Sequence, residues 1–168
     1  MRNPPLILIT DDDPGFLEIL CAKLTRSGFL IAEAHDGREG IEKAANLKPD
    51  LMMMDISMPD MNGTEAVLEL KKNPETKDIK VVFLTSLTDP WPGLKGEPHE
   101  KVAKDLGAID FINKADDLDK IVDKIKTLLK QWWCDTNILM HTNDTNKILI
   151  GYSYDISIIC INSYIGII

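Results

Sequence analysis

The sequence has little of what nucleic-acid binding, redox chemistry or thiolate metal sites require. Its 19 Lys and Arg face 27 Asp and Glu, which gives a net charge of −8. Phosphate contacts need clustered cations, so nucleic acid is not an expected partner. The three cysteines, Cys21, Cys134 and Cys160, have neither metal-ligand nor redox spacing and fit reduced thiols.

Signals for export, repeats and nucleotide binding are also lacking. Residues 1–5 lead into an apolar run without the charged and apolar regions of a signal peptide, so we expect a cytoplasmic protein. No internal repeat or P-loop is visible. A length of 168 residues favours one domain with one core.

The central feature of the sequence is an apolar run, residues 51–54, that ends in Asp55 and is followed by a turn containing Pro59 and Gly63. Four consecutive large apolar residues predict a strand buried on both faces, as in a parallel sheet covered by helices. A carboxylate at the end of such a strand lies where open α/β sheets bind ligands. The simpler alternative is that Asp55 only begins the turn.

A second carboxylate cluster follows the first apolar run, residues 5–10. Asp13 and Pro14 read as the N-cap and first residue of a helix, which gives Asp13 a structural role. Asp11 and Asp12 are left without one. They are therefore candidates for a functional site at the end of the first strand.

Five strand patterns alternate with five helical patterns, which predicts an α/β protein with a parallel sheet and right-handed crossovers. The predicted strands cover residues 5–10, 29–32, 51–55, 79–86 and 108–113. We assume the doubly wound strand order 2-1-3-4-5, which is known for such sheets and is not dictated by this sequence. In that order the ends of strands one and three are neighbours.

The strand ends carry Asp11, Asp12, Asp55, Thr85 and Lys114, all at one edge of the predicted sheet. Three carboxylates a few ångströms apart repel by about 1 kcal/mol per pair in water and about 4 kcal/mol at an effective dielectric of 20. Mg²⁺ would relieve this, since it prefers oxygen ligands. A carboxylate beside the ion can attack a phosphoryl group, with a lysine and a hydroxyl binding its oxygens.

These motifs resemble the response-regulator receiver domain of two-component signalling, which has a flavodoxin-like fold. The resemblance covers about residues 5–130, and the matching stretches are ILITDDDP (7–14), MDISMPDMNG (54–63), FLTS (83–86) and GAIDFINK (107–114). It implies a receiver domain over residues 1–131 and leaves a C-terminal appendage, 132–168, of unknown role. It also implies a non-enzymatic signalling domain that switches partner binding on phosphorylation.

The resemblance also implies a role for each site residue. Asp55 would be the phosphoacceptor. Asp12 would bind Mg²⁺ directly, Asp11 through water, and Ser57 through its backbone carbonyl. The remaining roles are phosphoryl binding by Thr85 and Lys114, switching by Thr85 and Phe111, and tuning of dephosphorylation by Ser57 and Leu87.

Two stretches depart from the family pattern. Ala115 replaces the proline that usually follows the lysine, often through a cis bond, and a non-proline cis bond would cost about 3 kcal/mol. Lys114 would then be less firmly held, and Asp116 or Asp117 would compete for it. The loop at residues 89–98 also exceeds the usual length before helix four.

The expected partners are a sensor histidine kinase or a histidine phosphotransfer protein, and a target protein of the face formed by helix four, strand five and helix five. Two other functions stay open. One is an aspartate-nucleophile phosphatase resembling the haloacid dehalogenase group, with Asp11 as nucleophile in an Asp-x-Asp motif. The other is a receiver-like scaffold without phosphorylation.

The tail at residues 132–168 differs in composition, with ten Ile but no Pro, Ala, Glu or Arg. Its high β propensity and few charges make it prone to aggregation unless it is covered. A membrane span is disfavoured because Asp155 and Asn162 interrupt the apolar run.

Overall fold

Five strands alternate with five helices along the described part of the chain. The computed structural model describes the backbone of residues 3–86 and 99–139, and the side chains of 3–86, 101 and 103–130. The strands are β1 Leu6–Thr10, β2 Leu30–Ala34, β3 Leu51–Asp55, β4 Val81–Thr85 and β5 Asp110–Asn113. The helices are α1 Pro14–Arg26, α2 Gly37–Leu47, α3 Gly63–Lys72, α4 His99–Asp105 and α5 Leu118–Leu139.

All neighbouring strands pair in parallel, and the sheet order is β2-β1-β3-β4-β5. This confirms the predicted α/β class and the assumed order. Helices α2, α3 and α4 contribute to the core on one face, and α1 and α5 to the core on the other. The sheet is therefore covered on both sides, and its carboxyl edge is left for a site.

Strand β3 lies at the centre of the sheet, as its apolar sequence predicts. Leu51, Met52, Met53 and Met54 are fully buried. Met52 and Met54 pack toward α2, α3 and α4, while Leu51 and Met53 pack toward α1 and α5. The alternation follows from the two-residue period of a strand. Asp55, at the end of the strand, is consequently held in a rigid frame.

Short polar side chains begin the helices immediately after the strands. Asp13 accepts from Gly15 N at 2.9 Å and from Phe16 N at 3.2 Å, as expected for an N-cap. Asp36 caps α2 and Asn62 caps α3 in the same way. These caps keep the connections short, so the residues between strand and helix stay at the edge of the sheet.

Several predicted boundaries are wrong by a few residues. Strand β2 is an edge strand at Leu30–Ala34, not 29–32, and its half-exposed sequence has a weak apolar pattern. Strand β5 begins at Asp110, not at residue 108, because Ala108 N donates to Ala103 O and closes the end of α4. Helix α5 ends at Leu139, and the domain boundary at residue 131 stays a prediction.

Several predictions fall outside the described residues. They concern Leu87, the loop at 89–98 and residues 140–168 of the tail. Within residues 3–86 and 99–139, none of the helices combines the length and apolar character that a membrane span requires.

Gly63 allows the loop after β3 to fold back against Asp55. A Cβ at Gly63 would lie 1.9 Å from the carbonyl oxygen of Asp55, and Gly63 N donates to Ile56 O at 3.0 Å. The clash is with backbone, so a side chain here would displace the loop that carries Ser57.

We predict that Gly63→Ala lowers the free energy of unfolding by about 3 kcal/mol, the upper part of the usual cost of overpacking. Gly28→Ala is the matched control, since Gly28 has open space around it and a φ of +92°. It should cost about 1 kcal/mol through backbone conformation alone. Urea unfolding measures both, and equal losses would contradict the steric explanation.

Candidate functional site

Three charged side chains meet at the carboxyl edge of the sheet, directly after β1, at the end of β3 and after β5. Lys114 Nζ lies 2.8 Å from Asp11 Oδ2 and 3.0 Å from Asp55 Oδ2. The side chains of Asp11 and Asp55 are almost wholly buried. The structure therefore brings together the ends of three strands, as the sequence predicts.

Asp12 completes a cluster of carboxylates. Asp11, Asp12 and Asp55 each offer an oxygen, and these oxygens all lie within 4.8 Å of one another. Asp12 is exposed, whereas the other two are buried. Asp13 is not a member, because its carboxylate caps α1.

The donor set fits Mg²⁺. All three groups are carboxylate oxygens, which Mg²⁺ prefers. The buried Asp11 Oδ2 lies 2.8 Å from Lys114 Nζ. Three carboxylates and one ammonium leave two negative charges in excess, which a divalent cation would neutralise.

Burial and mutual repulsion determine the protonation of the site. Burial raises the pKa of Asp11, and the contact with Lys114 only partly offsets this. Burial and then the charge of Asp11 raise the pKa of Asp55, again against Lys114. Burial alone would lower the pKa of Lys114, but its contacts with the two carboxylates outweigh this and raise it. Lys114 therefore stays protonated, while Asp11 and Asp55 bind protons more readily than free carboxyl groups do.

Lys114 is well positioned despite Ala115. Its ammonium contacts Asp11 and Asp55, while Asp116 and Asp117, the predicted competitors, are exposed. The ring of Phe16, on α1, lies 5.2 Å from Lys114 Nζ and makes a cation–π contact. Sequence reasoning missed Phe16, since a tertiary contact brings α1 and the end of β5 together.

The other predicted residues surround this centre. Thr85 is buried at the end of β4, and its hydroxyl donates to Ser86 O at 3.3 Å. Ser57 is exposed, and its backbone N–H bonds to Asp55 and lowers the pKa of that carboxyl. The roles of Ser57 in metal binding and dephosphorylation stay predictions.

Phe111 is half-buried on β5 and contacts α5. Lys124 Nζ lies 4.9 Å from the centre of the Phe111 ring. The same ammonium donates to Phe111 O at 2.5 Å and to Asp110 Oδ1 at 3.0 Å. Lys124 therefore joins α5 to the predicted switch residue. Sequence reasoning missed Lys124, because lysines are frequent on exposed helix faces.

A family model of the response regulator receiver domain matches residues 7–126. The chain belongs to the response regulator receiver domain family. This confirms the predicted class, a phosphorylation-dependent response regulator, and the acidic pocket fits a phosphoacceptor site. The family match and the fold together therefore place this chain among signalling domains.

Relatives of the receiver domain include proteins of different lengths. The DNA-binding dual master transcriptional regulator RpaA of Synechocystis is 32% identical over 128 residues, which are 76% of this chain and 50% of RpaA. Protein PilH of Pseudomonas aeruginosa is 35% identical over 124 residues, 73% of this chain and 96% of PilH. The chain thus spans half of RpaA and nearly all of PilH.

Solved structures agree with the fold. A receiver domain protein (CheY-like) from Methanospirillum hungatei has a TM-score of 0.66 and 27% identity, and the match covers 78% of this chain and 98% of that one.

We predict that Asp55→Asn stabilises the metal-free receiver domain at pH 7, because it removes a buried charge repelled by Asp11. Burial of the charge and its repulsion by Asp11 outweigh the contact with Lys114 that is also lost, so the expected gain is about 1 kcal/mol, the lower limit of the repulsion between charges about 4 Å apart. The exposed Glu69→Gln should change nothing. Urea unfolding in a chelator measures the effect, and a loss of stability would contradict it.

The pH dependence of this gain follows from the pKa values. The folded state holds the carboxyls of Asp11 and Asp55 above the unfolded value of 3.8, so it binds protons more tightly. Their unfavourable contribution therefore grows as pH rises through the folded pKa and is absent below 3.8.

Mg²⁺ at about ten times its dissociation constant should stabilise the wild type by about 1.4 kcal/mol and reduce the advantage of Asp55→Asn.

Proposed function

We propose that Asp55 accepts a phosphoryl group from a histidine of a sensor kinase or a phosphotransfer protein. An oxygen of Asp55 attacks phosphorus, the phosphorus–nitrogen bond of the phosphohistidine breaks, and an acyl phosphate forms. The observation that carries this proposal is the contact of the buried Asp55 carboxylate with Lys114, within a cluster that also contains Asp11 and Asp12.

Each surrounding residue has a defined task in this proposal. Asp11, Asp12 and Asp55 would hold Mg²⁺, which supplies positive charge to the oxygens of the phosphoryl group. Lys114, 3.0 Å from Asp55, would bind another of those oxygens. The Thr85 hydroxyl makes only a 3.3 Å bond to Ser86 and would rotate toward the phosphoryl group.

The geometry disfavours the phosphatase alternative. That mechanism needs Asp11 as nucleophile and Asp13 as the second carboxylate of its Asp-x-Asp motif. Asp13 instead caps α1 through Gly15 and Phe16. Asp11 is fully buried and paired with Lys114, so it is poorly placed to attack. The scaffold alternative would be favoured if Ala115, in place of the usual proline, left Lys114 poorly held. Lys114 reaches both carboxylates without a proline after it.

We predict that acetyl phosphate with Mg²⁺ labels the wild type but not Asp55→Ala, because the nucleophile is gone. Asp13→Asn is the matched variant. Asparagine keeps the cap, so labelling should persist if Asp13 is only structural. Mass spectrometry of the protein measures the label.

Other outcomes of this experiment favour the alternatives. A label retained by Asp55→Ala and lost in Asp11→Asn and Asp13→Asn would favour the phosphatase. No label on the wild type, and no Mg²⁺-dependent binding of beryllofluoride, would favour the scaffold.

We infer that phosphorylation changes the surface formed by α4, β5 and α5, where a target protein binds. Thr85 and Phe111 lie on paired strands, with Phe83 opposite Phe111 and Thr85 opposite Asn113. Movement of the Thr85 hydroxyl toward the phosphoryl group would leave space near Phe111. Its ring would then turn inward, away from Lys124.

We predict that Thr85→Val uncouples this switch, because valine has nearly the same shape but no hydroxyl. Beryllofluoride should still bind at Asp55, while the NMR shift of the Phe111 ring on binding should fall at least about fivefold, the lower end of the usual range of coupling. Thr127→Ala, on the exposed face of α5, is the control. An unchanged Phe111 response in Thr85→Val would rule out this route.

A further inference from the structure

The turn after β5 has an acceptor for each of its first three amide groups. Lys114 N donates to Thr85 O at 2.8 Å, and Asp116 N donates to Asn113 O at 3.0 Å. Between them, Ala115 N donates to the side-chain Oδ1 of Asn113 at 2.9 Å. Asn113 therefore supplies two of the three acceptors that shape the backbone around Lys114.

Asn113 is a specific choice at this position. Its side chain is buried at the end of β5, opposite Thr85 in the sheet. Asparagine and aspartate have a carbonyl oxygen at the distance needed to reach the N–H two residues later. Aspartate would add a buried negative charge beside a site that already has an excess, so asparagine satisfies both requirements.

The bond also depends on the residue after Lys114. Ala115 has the N–H that Asn113 binds, whereas proline has none. The turn seen here and a turn built on proline are therefore alternative ways to hold the same lysine. Phe16 supports the ammonium end of that lysine, and Asn113 supports its backbone.

We infer that Asn113 is a positioning residue, which directs Lys114 at Asp11 and Asp55 through the N–H of Ala115. Its consequence for phosphorylation rests on the proposed function, because Lys114 must bind the phosphoryl group for its position to affect the rate. The arrangement of Lys114 itself does not depend on that function.

The test combines Asn113→Leu, which keeps the size of the side chain but removes the acceptor, with Ala115→Pro, which removes the donor. Asn113→Leu is made in the wild type and in Ala115→Pro. Asn73→Leu is the matched control, since Asn73 Oδ1 accepts from Glu75 N at 2.9 Å in the same kind of turn, outside the site.

Two readouts separate positioning from general stability. The first is the side-chain ¹⁵N signal of Lys114 in the metal-free protein, which reports the ion pair. The second is the initial rate of labelling by acetyl phosphate with Mg²⁺. Asn113→Leu should broaden or shift the Lys114 signal and lower the rate about five- to tenfold, as expected for a misplaced binding group.

The same substitution in Ala115→Pro should change the rate less than about twofold, because the bond is already absent. Asn73→Leu should leave both readouts unchanged. Equal effects of Asn113→Leu in the two backgrounds, or no effect in either, would overturn the inference.

Exchange of the Ala115 amide in the wild type gives a test that needs no variant to fold. Ala115 is exposed, so its N–H should exchange rapidly unless Asn113 binds it. Protection of about tenfold or more over an unstructured peptide is expected, and no protection would overturn the inference.

The two readouts also distinguish this inference from the proposed function. A wild type that takes no label but shows an Asn113-dependent Lys114 signal would keep the positioning role and reject phosphorylation. If the wild type is labelled but Asn113→Leu changes neither the Lys114 signal nor the rate, phosphorylation is kept and the positioning role is rejected.

Discussion

A lysine ammonium shared by two buried carboxylates is the interaction on which this site depends. Asp11 directly follows β1 and Asp55 ends the adjacent parallel strand β3. Neighbouring strands lie about 4.8 Å apart, so the sheet holds the backbones of the two acids close together. Lys114 compensates one of their charges. The backbone keeps the two carboxylates close, so part of their repulsion remains. The folded site therefore favours the binding of a further cation.

This constraint links the site to the opposite half of the sheet. Lys114 follows β5, and Thr85 is the last residue of β4. The backbone N–H of Lys114 donates to the carbonyl oxygen of Thr85. A group that draws both side chains toward Asp55 acts on two paired strands at once. Phe111 lies on the same strand as the turn that carries Lys114, and Lys124 ties it to α5. In the proposed switch, a local change of charge would reach the surface of α5 through these contacts.

Much of the fold and site was predictable because the informative residues adjoin long buried strands. Asp11, Asp55, Thr85 and Lys114 were located by the apolar runs that precede them, and Asp13 by its cap position. The strand order had to be assumed, since periodicity shows which residues are buried but not which strands pair. Phe16 and Lys124 were missed because their roles arise from tertiary contacts. Asn113 was missed because its local bond to the Ala115 N–H is not distinguishable in the sequence from the polar end of a strand.

The unequal exposure of the carboxylates suits a hydrated ion. Mg²⁺ gives up its water reluctantly and usually keeps several molecules when bound by one or two carboxylates. Asp12 is exposed, while Asp11 is buried and occupied by Lys114. Asp12 would hold such an ion from the exposed side of the cluster, while Lys114 contacts Asp11 and Asp55. Two positive charges would then lie beside the Asp55 carboxylate, where they would stabilise the oxygens of a phosphoryl group.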